Sequence, residues 1–139
     1  MSPAVEIGHE TTSHIVLLVE DEVLVRMLLA EELRDAGWTV VEAATGDEAW
    51  SFLRSGGTAQ LLFTDLTMPG NLDGLALTRL VRSTYPAMKI ILTSGNMGPR
   101  SVTGFDGYLP KPYSLAGAVA AVGKLLEPKD SGTAYPEAT

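Results

Sequence analysis

Five short apolar runs recur along this chain, each of at most five residues: Ile15–Val19, Thr39–Ala43, Leu61–Thr64, Lys89–Thr93 and Tyr108–Leu109. None is long enough for a buried helix, so each reads as a strand. The stretches between the first four carry apolar residues at helical spacing instead. Strands alternating with helices over short connections give a parallel sheet covered on both faces. This pattern leaves little choice of fold: a doubly wound α/β domain.

The intervening segments support that reading. Glu22–Ala36 reads as a helix, with Val23, Met27, Ala30 and Leu33 on its inner face and Gly37 as its stop. Thr45 caps a helix running to Ser55, and Glu48 completes a capping-box pattern. Leu72–Tyr85 is a third helix, carrying Leu75, Leu77, Leu80 and Val81 and ended by Pro86. Ser114–Leu126 is the last, with Leu115, Val119, Val122 and Leu126 on one side. Trp38 and Trp50 are expected to pack helices. Residues 1–13 and 127–139 read as flexible tails around one domain, 14–126. The link from Ser94 to Gly107 is different. It carries Gly95, Gly98, Pro99 and Gly104, which oppose a regular helix, so a loop or one turn is expected there.

The ends of the strands carry the chemistry. In open α/β sheets, sites form outside the carboxyl ends of the strands. Here Glu20-Asp21-Glu22 follows the first run, Asp65 closes the third, and Lys111 follows the fifth. Two acidic groups and one ammonium at neighbouring strand ends suit a hard cation beside a nucleophilic carboxylate. Oxygen donors without His or Cys favour Mg²⁺ or Mn²⁺ over zinc. Neutralising Asp21 is expected to relieve a buried like-charge repulsion and leave the fold intact.

Composition narrows the function. The chain has 139 residues, 45% of them hydrophobic, and a net charge of −7. That balance offers no basic face for nucleic acid or anionic lipid. With no cysteine, disulfides and thiolate metal sites are excluded. No segment approaches the ~20 apolar residues of a membrane helix, and the start lacks the apolar core of a signal peptide. A cytoplasmic protein is expected.

Taken in order, Glu20-Asp21, Asp65 with Met68-Pro69, Asp73-Gly74, Thr93 and Lys111-Pro112 make the chain resemble a receiver domain of two-component response regulators over residues 14–126. The resemblance implies a flavodoxin-like sheet of five parallel strands in the order 2-1-3-4-5. It implies Asp65 as phosphoacceptor and Lys111 as the lysine that pairs with the phosphoryl group. Mg²⁺ would lie on Glu20, Asp21, Asp65 and the backbone carbonyl of Thr67, with Mn²⁺ able to substitute. Thr93 is similar to the switch hydroxyl and Tyr108 to the switch aromatic. Lys111-Pro112 is similar to the family's cis peptide. The implied partners are a sensor histidine kinase or phosphotransfer protein and a downstream protein. The implied mode is a stand-alone switch or phosphate sink, a monomer or weak dimer without direct nucleic-acid or membrane binding.

Two departures stand out. The family's helix between the fourth and fifth strands is short or replaced by a loop, which resembles a subgroup paired with alphaproteobacterial sensor kinases. Gly70-Asn71-Leu72 also adds one residue between Met68-Pro69 and Asp73-Gly74. Other functions compete. A haloacid-dehalogenase-like phosphatase would need an acid two positions after Asp65, where Thr67 stands. A flavodoxin-type module needs a phosphate loop after the first strand, where Glu20-Asp21-Glu22 would repel phosphate. A docking domain indifferent to phosphorylation would not need the acidic constellation.

Overall fold

The computed structural model describes residues 14–68, 70, 72–95 and 103–127. Five strands, β1 (Ile15–Val19), β2 (Thr39–Ala43), β3 (Leu61–Asp65), β4 (Lys89–Ser94) and β5 (Gly107–Pro110), form one sheet in the order β2-β1-β3-β4-β5. All pairs are parallel. The helices are α1 (Val23–Asp35), α2 (Gly46–Arg54), α3 (Gly74–Thr84) and α4 (Leu115–Leu125). This is the doubly wound architecture expected from the alternation of runs. The terminal tails fall outside the described residues, apart from Glu127.

The two-residue period of a strand sends alternate side chains to opposite faces. Val16 and Leu18 of β1, Leu61 and Phe63 of β3 and Ile91 of β4 face one way, into a core shared with α1 and α4. Leu17, Val19, Leu62, Ile90 and Leu92 face the other way, against α2 and α3. Strands buried on both faces explain why these runs are apolar throughout instead of alternating. Trp38 is buried in the first core and its indole donates to the Leu126 carbonyl at 3.2 Å, tying the end of α4 to the turn before β2. Trp50 packs edge-on to Tyr85 between α2 and α3.

The caps follow the sequence. Thr45, Asp73 and Ser114 each accept a hydrogen bond from the backbone three residues on, at the starts of α2, α3 and α4. Glu48 returns the capping bond one residue earlier than the standard box, to the Ala44 amide.

One face is corrected. Spacing put Val23 and Met27 on the inner side of α1, yet both are exposed, and Leu29, Ala30 and Leu33 are the residues that bury. Apolar residues occupy most sides of this helix, so its period alone does not select the inward one.

Between β4 and β5 no helix occurs among the described residues; Asn96–Val102, including Gly98 and Pro99, lie outside them. The far end of the link is not loose. The Arg82 guanidinium donates to the Gly104 carbonyl at 2.7 Å, to the Asp106 carboxylate at 2.7 Å and to the Pro86 and Met88 carbonyls. Asp106 in turn accepts from the Ile90 amide and donates its own amide to the Ile90 carbonyl. Gly104 takes a positive φ of 84°, which favours glycine at this turn.

Candidate phosphoacceptor and cation site

Parallel pairing brings the ends of β1, β3, β4 and the segment after β5 to one rim. Register sets Val19 beside Thr64 and Asp65 beside Thr93. Asp65 is buried at the end of β3. Behind it, the Leu66 amide donates to the Thr93 carbonyl and the Gly74 amide to the Leu66 carbonyl, which fixes the turn. Gly74 has to be glycine: a Cβ there would overlap the Asp65 carbonyl oxygen. The Asp73-Gly74 pair therefore serves to seat α3 directly against the Asp65 backbone.

Glu20 is held at several points. Its amide donates to the Ala43 carbonyl, its carboxylate accepts the Glu22 amide at 3.0 Å, and its carbonyl accepts Arg26 at 2.9 Å. Arg26 also pairs with Glu42, which pairs with Arg34. Sequence reasoning passed over Arg26, because nothing in the pattern of α1 marks a charged residue as reaching back to a strand end.

Carboxylate oxygens of Glu20, Asp21 and Asp65 lie within 4.8 Å of one another. Glu20 and Asp65 are buried while Asp21 faces outward. The expectation of a buried repulsion at Asp21 is thus corrected: the electrostatic burden sits on Glu20. Burial pushes the Glu20 carboxyl upward, and Asp65 and Asp21 add to this, against the Glu22 amide and Lys111, which favour its ionised form. An all-oxygen cluster of this size fits a hard divalent cation, and fewer protein oxygens than an octahedron needs fits Mg²⁺, which keeps several waters.

Lys111 reaches Asp65 with an Nζ–Oδ2 distance of 2.5 Å. Burial pulls its ammonium down, but the Asp65 hydrogen bond and the charges of Asp65, Glu20 and Glu22 outweigh that and raise it. Its backbone is set by an amide bond to the Ser94 carbonyl, and the Lys111-Pro112 peptide is cis as expected. The Thr93 hydroxyl is buried beside Asp65 without a hydrogen-bond partner among the described residues. Thr67 is exposed, and its amide lies 3.4 Å from Asp65 Oδ1. Tyr108 is half-buried on β5 against the α2–α3 side of the sheet. Pro69 lies outside the described residues.

Residues 16–123 match the family model of the response regulator receiver domain. The chain belongs to that family. It is 39% identical over 124 residues to the sensor kinase CckA of Brucella abortus, covering 85% of this chain and 13% of the kinase. It is 32% identical to the transcriptional regulator NtrC of Salmonella typhimurium, of which it covers 24%. The chain thus spans a minor part of these relatives. Among solved structures, the receiver domain of the hybrid histidine kinase CckA is 35% identical, with a TM-score of 0.67 over 79% of this chain and 96% of that one. The response regulator TrrA of Thermotoga maritima, solved in complex with Mg²⁺ and BeF, is 33% identical, with a TM-score of 0.73 over 81% of this chain and 99% of that one. Receiver domains work in two-component signalling, bind Mg²⁺ at an acidic cluster and interact with histidine kinases. No described helix is long and apolar enough to cross a membrane.

Proposed function

We propose that this receiver takes a phosphoryl group onto Asp65 from the phosphohistidine of a sensor kinase or phosphotransfer protein. The observation that carries the reading is the Lys111–Asp65 ion pair beside buried Glu20, at the rim where three carboxylates converge. In the transfer a carboxylate oxygen of Asp65 bonds to phosphorus as the N–P bond of the donor breaks, and the imidazole leaves with that electron pair. Lys111 supplies positive charge to the oxygens of the transferred group. Glu20, Asp21, Asp65 and the Thr67 carbonyl would hold Mg²⁺, or Mn²⁺ in its place, which when bound would supply positive charge to the phosphoryl oxygens. Thr93 then donates its unpartnered hydroxyl to a phosphoryl oxygen, and Tyr108 follows that movement.

The surface for the kinase lies next to this site. Val23, Leu24, Met27 and Leu28 on the first turns of α1 are 59%, 67%, 55% and 45% exposed. Large apolar side chains grouped on one face mark a protein contact, and here the contact sits where the phosphoryl group arrives. The output is a protein–protein signal or return of the phosphoryl group as a sink, in the cytoplasm, with no separate substrate turned over. Exposed Thr67 carries no acid, which disfavours the phosphatase reading.

The test is phosphorylation by a phosphorylated kinase or by acetyl phosphate with Mg²⁺. The wild type should gain a hydroxylamine-labile phosphoryl group, and Asp65→Asn should gain none. Undiminished labelling in D65N overturns the assignment.

A further inference from the structure

Two buried hydroxyls at this rim have no hydrogen-bond partner among the described residues: Thr93 Oγ1 and Tyr113 Oη. Buried polar groups are nearly always bonded, and an exception asks for a reason. Thr93 has one in the reading above. Tyr113 does not. Its ring stands edge-on to Phe63 with centroids 6.0 Å apart and packs against the core shared by α1 and α4. That packing accounts for an aromatic ring, and a phenylalanine would serve it equally. The hydroxyl is unexplained by the fold.

Tyr113 shares the wall of a 510 Å³ cleft with Glu20, Lys111 and Gly95. Burial first, then the charges of Glu20 and Asp65, push its pKa up to about 12. It is therefore a proton donor at any physiological pH, in a cleft that Glu20 also lines. Asp65 Oδ2 is already engaged by Lys111. Glu20 accepts the Glu22 amide through Oε2, and a carboxylate has room for further donors. We propose that Tyr113 is a positioning residue for the cation's side of the site, its hydroxyl becoming a donor to the Glu20 carboxylate when a cation is held there. The inference rests on the reading of Glu20 as a cation-holding residue. Groups that orient metal-holding side chains in this way influence affinity without touching the ion. The two hydroxyls then divide the work: Thr93 serves the phosphoryl group and Tyr113 the cation.

The experiment compares the full chain with Tyr113→Phe in two measurements, Mg²⁺ titration by calorimetry and thermal melting without added cation. Removing a buried donor that has no partner should leave the melting temperature unchanged or raise it. The Mg²⁺ dissociation constant should rise by about tenfold. An unchanged constant overturns the proposal. So does a variant that melts several degrees lower, because the hydroxyl would then be bonded in the resting protein. A wild-type chain that takes up no Mg²⁺ overturns the metal reading itself, and this inference with it.

Discussion

Helices α1 and α3 both start at the rim of the sheet beside an acidic group of the site, yet they meet it in opposite ways. Helix α3 begins with Gly74 pressed on the Asp65 backbone, and its first turn is closed by the Asp73 cap. Helix α1 begins directly after Glu20-Asp21-Glu22, and its first two turns leave four large apolar side chains in solvent. The described residues of α3 expose no comparable group. One helix start fixes the Asp65 backbone, and the other faces outward beside it. In the proposed reading, position and recognition are separated onto two helices that flank one carboxylate.

The strongest way to break this contrast is at Gly74. Even Gly74→Ala adds an atom where the Asp65 carbonyl stands, and backbone cannot step aside as a flexible side chain would. The variant should lose about 1–3 kcal/mol of stability, the range of an overpacked site, and phosphorylate poorly, since the turn carrying Asp65 must shift. Urea unfolding and labelling with acetyl phosphate measure both. A variant with wild-type stability would mean α3 floats over the site and does not fix it.

On α1 the opposite result is expected. Leu24→Ser with Leu28→Ser changes exposed residues, so stability should move by no more than about 0.5 kcal/mol per site. Transfer from the kinase should fall by about tenfold, roughly 1.4 kcal/mol of lost contact. Labelling by acetyl phosphate, which needs no docking, should stay the same. Equal losses with both donors would place the defect in the chemistry and remove the division between the helices.

What the sequence made legible follows the same division. Short apolar runs and the acidic or basic residues at their ends report on strands and on Glu20, Asp21, Asp65 and Lys111, because a strand's end is a local property of the chain. The inward face of α1 was not legible. With Val23, Leu24, Val25, Met27, Leu28 and Leu29 nearly consecutive, several rotations of the helix bury similar apolar area, and only packing against β1 and α4 selects Leu29, Ala30 and Leu33. Gly74 was legible as part of a motif, but its reason is a carbonyl nine residues earlier in the chain. Tyr113 follows Lys111-Pro112 with no signal of its own; only the sheet brings it to the cleft that Glu20 lines.

The glycine-rich link after β4 reads as a loop, and the sequence does not show what holds its far end. Glycines at 95, 98, 104 and 107 signal softness along its whole length, but Arg82 of α3 overrides that signal at the far end. Its guanidinium gathers Gly104, Asp106 and two carbonyls of the α3–β4 turn, so the last turn of α3 fixes the entry to β5 much as its first turn fixes Asp65. Arg82→Ala tests whether α3 positions the structure at both ends. Charge-assisted bonds are worth about 1.5–3 kcal/mol each when well shielded. Arg82 and Asp106 are each more than a quarter exposed, so screening reduces the sum and the net loss should be about 1 kcal/mol. Hydrogen exchange gives the sharper readout. In the wild type the Asp106 amide, bonded to the Ile90 carbonyl at 2.7 Å, should exchange slowly, whereas the Gly95 amide at the other end of the link should exchange faster. In the variant Asp106 should approach the rate of Gly95 while the Leu92 amide, inside β4, stays protected. An Asp106 amide that remains slow without Arg82 would show that strand pairing alone holds β5, and that α3 positions the site at its first turn only.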